Sequence, residues 1–455
     1  MNRLSPRRFA AATAFAVAAA MPASAFAQDA SDSLRFSIEG DVRVRGEALD
    51  GQFRASGLEE DSFVSTRTRV KAELAAGPVR LVGELRDGRS LYMPDGDTAA
   101  LSTSSVNTIE PLQAYGAFDI AGVAGGTLTL SGGRFTQEIG SGRLVGIPGF
   151  SNSVVSYAGV RAEWEGAGDR KAIFFWTRPF DTLPSDDAAL RDNEVELDRV
   201  SNTVTFFGGS VTTGVIAGAT GEAYVYRFAE NDSVARPTRD RKLVTVGGRF
   251  ARDPEAGVVD FDFEAAGQFG SIRAGTAPTA GELDVEAAML HAEAGYTFAT
   301  GWSPRVAVAF DLATGDGADS STYGRFDALY GTRRSDFGPT SIYGAVKGAN
   351  IVSPGIRFDA EPNARLDMSL FVRGLWLESS TDAFVGAGVR DASGNSGSYA
   401  GTQAEARVRY WLVPGTLRLE AGGAYLAKGR FLEEAPNAPD TGDTRYGYLE
   451  LSAKF

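Results

Sequence analysis

The stretch RFSIEGDVRVRGE, Arg35 to Glu47, is two sequences interleaved. Counted from Leu34, every second residue reads Leu34, Phe36, Ile38, Gly40, Val42, Val44 and Gly46. Between them stand Arg35, Ser37, Glu39, Asp41, Arg43, Arg45 and Glu47, nearly all ionised. Successive side chains of a β-strand point to opposite faces of the sheet, so this segment predicts a strand with one apolar and one charged face. The pattern recurs along the chain. Arg67, Arg69, Lys71 and Glu73 alternate with Thr68, Val70, Ala72 and Leu74, and Arg161, Glu163 and Glu165 oppose Val160, Ala162 and Trp164. Later, Asp260, Asp262 and Glu264 oppose Phe261 and Phe263, and Gln403, Glu405, Arg407 and Arg409 oppose Ala404, Ala406, Val408 and Tyr410.

A soluble β-sandwich also alternates, with its apolar face in the core. Here the polar faces carry long charged side chains at successive positions, which suits a wide wet interior. The apolar faces hold medium-sized residues ending in aromatics, which suits a lipid-facing band with aromatic girdles. Backbone groups in hydrocarbon must pair within the protein, so such a sheet has to close on itself. The expected fold is therefore all-β, a transmembrane antiparallel β-barrel. At about 24 residues per strand with its turn or loop, the chain allows roughly 16 to 20 strands. That size leaves an aqueous channel rather than a packed interior.

Both ends fit that expectation. Arg3, Arg7 and Arg8 precede a short apolar run, Phe9 to Met21, and Ala25-Phe26-Ala27 offers a cleavage site. This is the pattern of a secretory signal peptide over residues 1–27, cleaved near Ala27, with residues 28–455 as a single barrel domain. The expected location is the outer membrane, reached through the periplasm, with lipid and lipopolysaccharide as surroundings. The chain ends RYGYLELSAKF, with Leu449, Leu451, Ala453 and Phe455 at alternate positions. A last strand finishing on phenylalanine resembles those read by the barrel-insertion machinery, an expected partner.

Composition narrows the chemistry. With no cysteine, neither disulfides nor thiolate metal sites support the fold. The formal net charge of −13 argues against nucleic acid as a partner. The single histidine, His291, shares parity with Glu293 and could face inward, but no Gly-x-Ser-x-Gly turn accompanies it. An outer-membrane hydrolase is thus the weaker reading; no catalytic residue, cofactor or metal ligand set is expected. The acidic stretches 183–198 and 432–443 read as loops, their charges in solvent or, alternatively, holding a divalent ion against lipopolysaccharide.

The segment Gly132 to Trp164, GGRFTQEIGSGRLVGIPGFSNSVVSYAGVRAEW, carries Gly133-Arg134, then Ser141-Gly142-Arg143-Leu144-Val145-Gly146, Asn152, and Gly159-Val160-Arg161. It resembles the pattern of the alginate export family. A second block, Phe326 to Phe358, is similar to that family's Phe-Asn-Pro-Leu segment and the strand after it, with Asp327 and Ala328 replacing Asn-Pro. The resemblance implies a barrel of about 18 antiparallel strands that passes a polyuronate through a basic lumen.

The candidate path residues are Arg43, Arg45, Arg67, Arg69, Lys71, Arg86, Arg134, Arg143, Arg161 and Arg357, with Arg409 on the same parity as an extension. If the first two strands form a hairpin, the first five become one basic patch. Arginine suits carboxylated sugar because its planar fork meets carboxylates bidentately and stays charged. Weak, repeated contacts let a polymer slide. The competing reading is that these arginines pair with Glu39, Asp41, Glu47, Glu73 and Glu84 to hold the wall. Arg134 shares parity with Leu128 and Leu130 on the lipid side, so either Gly132-Gly133 forms a bulge or Arg134 lies beyond the membrane band. The bulge is the favoured reading, because the family pattern carries arginine there. The function so implied is passive conduction of anionic polysaccharide or oligosaccharide. The alternative is a general diffusion porin for small sugars or organic acids. Periplasmic export or uptake partners would accompany the first.

Overall fold

A computed structural model describes residues 34–92, 101–216, 218–233, 236–317, 321–332, 334–344 and 346–455. The expected signal peptide lies outside the described residues. Eighteen strands form the wall. They are β1 (Arg35–Asp50), β2 (Asp61–Ala76), β3 (Val79–Tyr92), β4 (Asn107–Val123), β5 (Gly126–Phe135), β6 (Tyr157–Gly166), β7 (Arg170–Asp181), β8 (Val204–Ile216) and β9 (Ala219–Glu230). The second half comprises β10 (Lys242–Arg252), β11 (Val259–Arg273), β12 (Glu282–Thr297), β13 (Arg305–Ala313), β14 (Ile351–Asn363), β15 (Leu366–Trp376), β16 (Tyr399–Val413), β17 (Leu417–Lys428) and β18 (Thr444–Lys454). Each pairs antiparallel with the next, and β18 pairs back onto β1, so the sheet closes.

Alternation sorts the two faces as the sequence demands. Leu81, Leu85, Val160, Val211, Val225, Val246, Val308, Ile356 and Leu449 are exposed on the outer parity, an apolar belt that only lipid can cover. Trp176 and Trp302 are exposed as well. On the other parity Arg43, Arg45, Glu84, Arg86, Asp260, Glu264 and Arg373 are buried inside the wall.

The connections alternate in length. The turns after β2, β4, β14 and β16 are tight; Gly77 (φ 54°) and Gly125 (φ 76°) take the left-handed backbone that two of these turns require. The joins after odd-numbered strands are long, notably 136–156, 182–203, 314–350 and 377–398. In outer-membrane barrels the short turns face the periplasm and the long loops the exterior. The acidic stretches do fall in long connections, which carry one-turn helices at Asp187–Arg191 and Arg430–Glu434. Asp198 departs from the solvent expectation: it is buried and accepts hydrogen bonds from Leu183 N at 3.0 Å and Asn107 Nδ2 at 2.9 Å.

The C-terminal residue closes the seam. Gly40 N donates to the Phe455 carbonyl at 2.9 Å, and Phe455 N donates back to Gly40 O at 3.1 Å. The Phe455 ring lies where a Cβ on Gly40 would be, and that Cβ would also sit 2.6 Å from the Arg69 carbonyl. Because backbone blocks one side, Gly40→Val cannot be relieved by a side-chain swing. We expect the substitution to lower barrel stability by about 1–3 kcal/mol, read as a lower urea midpoint of the refolded barrel.

Candidate functional site

Two long connections fold into the bore and meet. The loop 136–156 turns back on itself, with Ile139 N donating to Val145 O at 3.0 Å. It then runs beside the loop 314–350: Tyr330 N donates to Leu144 O at 3.0 Å, Gly146 N to Tyr330 O at 3.1 Å, and Thr332 N to Gly142 O at 2.8 Å. Backbone pairing between the loops makes a diaphragm across an otherwise open cylinder.

One side of the diaphragm rests on an apolar wall. Tyr157 on β6, Phe175 on β7, Phe206 on β8 and Tyr226 on β9 are all buried on the inward parity, and Ile139, Leu144, Val145 and Tyr330 pack against them. The rings form a continuous stack: Phe175–Phe206 at 5.0 Å, Phe206–Tyr330 at 5.2 Å and Tyr157–Tyr330 at 5.4 Å between centroids. Aromatic pairs of this geometry add about 0.5–1.5 kcal/mol each beyond area burial.

The other side is held by guanidinium groups. On the β1–β2 hairpin Arg43 stands directly opposite Arg67, Asp41 opposite Arg69, and Glu39 opposite Lys71; Arg69 faces Arg86 across β2–β3. Like charges opposite one another destabilise a ladder, so the cluster needs acceptors. The loop supplies backbone oxygens. Gly149 O accepts from Arg43 at 3.1 Å and Arg67 at 2.8 Å, Phe150 O from Arg45 at 2.6 Å, and Ser151 O from Arg67 at 3.3 Å and Arg86 at 3.5 Å. Asn152 Oδ1 accepts from Arg43 at 2.5 Å, and the Phe150 ring lies 3.5 Å beneath the Arg45 guanidinium. Carboxylates complete the cluster: Arg45 with Glu450 at 2.9 Å and Glu47 at 3.3 Å, and Arg69 with Asp41 at 3.1 Å.

Arg143 pins the tip. It bonds Asp336 of the second loop through two nitrogens, at 3.0 and 3.2 Å, and reaches Asp262 at 3.1 Å and Glu264 at 2.9 Å on β11. Burial alone would lower the Arg143 pKa, but these carboxylates outweigh it and hold it well above its usual value. Asp336 is likewise pushed up by burial, but Arg143 and His291 hold it well below the ordinary carboxylate range.

The remaining expected residues are spread around the bore. Lys71 pairs with Glu39 at 3.3 Å, Arg161 with Glu163 at 3.3 Å, and Arg357 with Glu293 at 3.7 Å. Arg134 is a correction. The ladder runs unbroken across Gly132 and Gly133 against both neighbours, so no bulge resets the parity. Arg134 keeps the parity of Leu128 at the loop end of β5, bound to Ser156 at 2.8 Å, Asp198 at 3.3 Å and Glu110, and stacked on Phe180 at 3.8 Å. The register thus fits a place beyond the membrane band. Gly133 can hold its φ of 132° here because it lacks a Cβ, which would strike the Ala114 carbonyl.

Several residues were not singled out by sequence. Arg373 is buried, stacked 3.9 Å over Phe371 and bonded to Asp311 at 3.3 Å. Arg418 reaches Glu420 at 3.3 Å, while Arg407 makes no ion pair within 4 Å among the described residues. Inward parity alone points to all three. A cavity of about 700 Å³ lies among the 231–241 loop, the 314–350 loop and the wall strands β10 to β13, lined by Arg143, Arg239, Arg241, Arg325, Asp327 and Asp336 among others. The cations of its loops carry no periodic signal. His291 is buried, its Nδ1 2.6 Å from Asp311. Among the described residues no group of three or more His, Asp or Glu side chains is placed to hold a metal ion.

The family model for alginate export matches residues 34–443. Comparison with curated protein sequences gives no match. Solved structures from Pseudomonas aeruginosa share the fold. Pseudomonas aeruginosa OccK9 (OpdG) superposes with a TM-score of 0.57 at 12% identity, covering 92% of this chain and 98% of that one. Pseudomonas aeruginosa OpdL gives 0.55 at 9% identity with the same coverage, and Pseudomonas aeruginosa OccK5 (OpdH) 0.54 at 10%, again over 92% and 98%.

The depressed Asp336 pKa sets a pH expectation. A carboxylate whose folded value is lowered contributes stability above its unfolded value, about 3.9, and loses it only as pH falls through the folded value. The tip should therefore stay seated from neutral pH down past about 4 and loosen only in stronger acid. Asp336→Asn removes a charged hydrogen-bond partner worth about 1.5–3 kcal/mol, so the amides of residues 139–146 should exchange roughly ten- to a hundred-fold faster at pH 7. Hydrogen exchange read by mass spectrometry checks both.

Proposed function

This chain belongs to the alginate export family, and from that premise we propose that it is an outer-membrane channel passively conducting carboxylated polysaccharide or oligosaccharide. The observation that carries the reading is the arrangement of inward cations around the diaphragm. Arg69, Lys71, Arg357, Arg407 and Arg409 are partly open toward the bore, while the loop cavity brings Arg239, Arg241 and Arg325 together. A polyanion moving between such sites exchanges one set of fixed cations for the next without binding any tightly.

A diffusion porin for small organic acids or sugars is the second reading. It is favoured by the inward pairs: Arg409 with Asp367 at 2.6 Å and Arg305 with Glu293 at 2.8 Å stiffen the wall rather than wait for cargo. The hydrolase reading is not favoured by the site: among the described residues His291 has Asp311 at Nδ1 and Asp262 4.0 Å from Nε2, with no serine hydroxyl bonded to it. In the same proposal, the exposed Phe455 strand is what the insertion machinery reads, and the exposed belt is what lipid covers.

Planar-bilayer recording under a salt gradient tests the reading. The wild type should prefer chloride to potassium. The triple change Arg69→Gln, Lys71→Gln, Arg407→Gln should cut that preference several-fold, with the difference fading as salt shortens the screening length to below about 8 Å. Cation preference in the wild type would overturn it. Transit of an oligogalacturonate trimer separates the saccharide reading from the small-solute one.

A further inference from the structure

Of the four guanidinium groups under residues 149–152, Arg45 is well paired with Glu450 and Glu47, but the other three are not: Arg43 lies 3.7 Å from Glu450 and Arg67 3.5 Å from Asp41. Arg86 is buried, makes no ion pair within 4 Å among the described residues, and its one hydrogen bond, to Ser151 O, is 3.5 Å long. The Nε groups of Arg43, Arg67 and Arg86 are buried without a protein acceptor among the described residues. Three successive backbone carbonyls are neutral acceptors for a cluster that would bond a carboxylate about twice as strongly. Each guanidinium offers a planar fork, which a carboxylate fills and a lone carbonyl oxygen does not.

We propose that residues 147–152 are a neutral strap standing in for cargo on an anion site made by Arg43, Arg67 and Arg86, and that cargo carboxylates open the bore by displacing it. The inference rests on the functional reading above. It adds that the cargo's own charge is the opening signal.

The geometry supplies a route and a pivot. Arg69 is more open than its neighbours and stands opposite Arg86 in the ladder, so a carboxylate arriving at Arg69 is one residue pair from the seat. The other half of the loop is held by unlike forces: the apolar wall, for which a carboxylate does not compete, and Arg143, which already holds three carboxylates. Gly149 marks the moving end: space is open around a Cβ built on it. A neutral sugar has no charge with which to compete for the seat.

The chain has no cysteine, so engineered thiols report without background. A nitroxide on Gly149→Cys should gain mobility several-fold when oligogalacturonate trimer is added and stay unchanged with maltotriose. A second variant, Gly88→Cys with Asn152→Cys, locks the strap. A Cβ built on Gly88 lies 3.0 Å from the Asn152 Cβ, within reach of a disulfide after a small shift of the strap. Oxidised, it should pass the trimer at least tenfold more slowly than when reduced. Trimer transit through wild type with no change at position 149, or equal transit through the oxidised and reduced pair, overturns the strap and leaves the functional reading standing. A cation-preferring wild type that passes no trimer overturns both.

Discussion

A backbone amide left unpaired in hydrocarbon costs several kcal/mol, and the closed sheet on which the rest of this molecule is built follows from avoiding that cost. Closure of β18 onto β1 pairs the last edge. Once the sheet is closed, the period of two divides each strand's side chains between lipid and bore with no third option. The outer belt of Leu, Val and Ile and the inner rows of Arg, Asp and Glu are two consequences of one geometry. So is the reliance on arginine inside: a wall that is wet on one face can carry charges at successive positions only if they pair across the ladder or find other acceptors.

The loops supply those acceptors and narrow the bore, and their two anchorages differ in strength. Burying Ile139, Leu144 and Val145 against the aromatic wall is worth about 1.5–3 kcal/mol per side chain, with ring pairing added. On the arginine side each hydrogen bond to a charged donor is worth about as much in isolation, but the desolvation of several guanidinium groups offsets most of it. The apolar side therefore wins as the fixed end, and the arginine side is where movement begins.

How much of this the sequence discloses depends on whether the signal is periodic. Arg43 beside Arg67 was legible, because strict alternation assigns the face and a sequential hairpin assigns the neighbour. Arg134 was not. Parity sets it with Leu128 and Leu130 while the family pattern favours a bulge, and whether a strand end lies inside or above the membrane band depends on partners such as Asp198, 64 residues away. The inward aromatics were hidden for another reason. In Ile173-Phe174-Phe175-Trp176 both parities are apolar, so alternation cannot say that Phe175 is buried inside while Phe174 and Trp176 are exposed outside. The strap had no local signal at all: Gly149 meets Arg43 across 106 residues of sequence. Family likeness drew attention to the right segment without saying that it folds into the bore.

The claim that holds these parts together is that the loop 136–156 crosses and narrows a water-filled barrel. Single-channel conductance of a protein in which residues 138–152 are replaced by a Gly-Ser linker of equal length tests it most directly. The account gives a several-fold larger conductance from a barrel that still migrates as a folded species before heating. A folded barrel whose conductance matches the unaltered protein would contradict it.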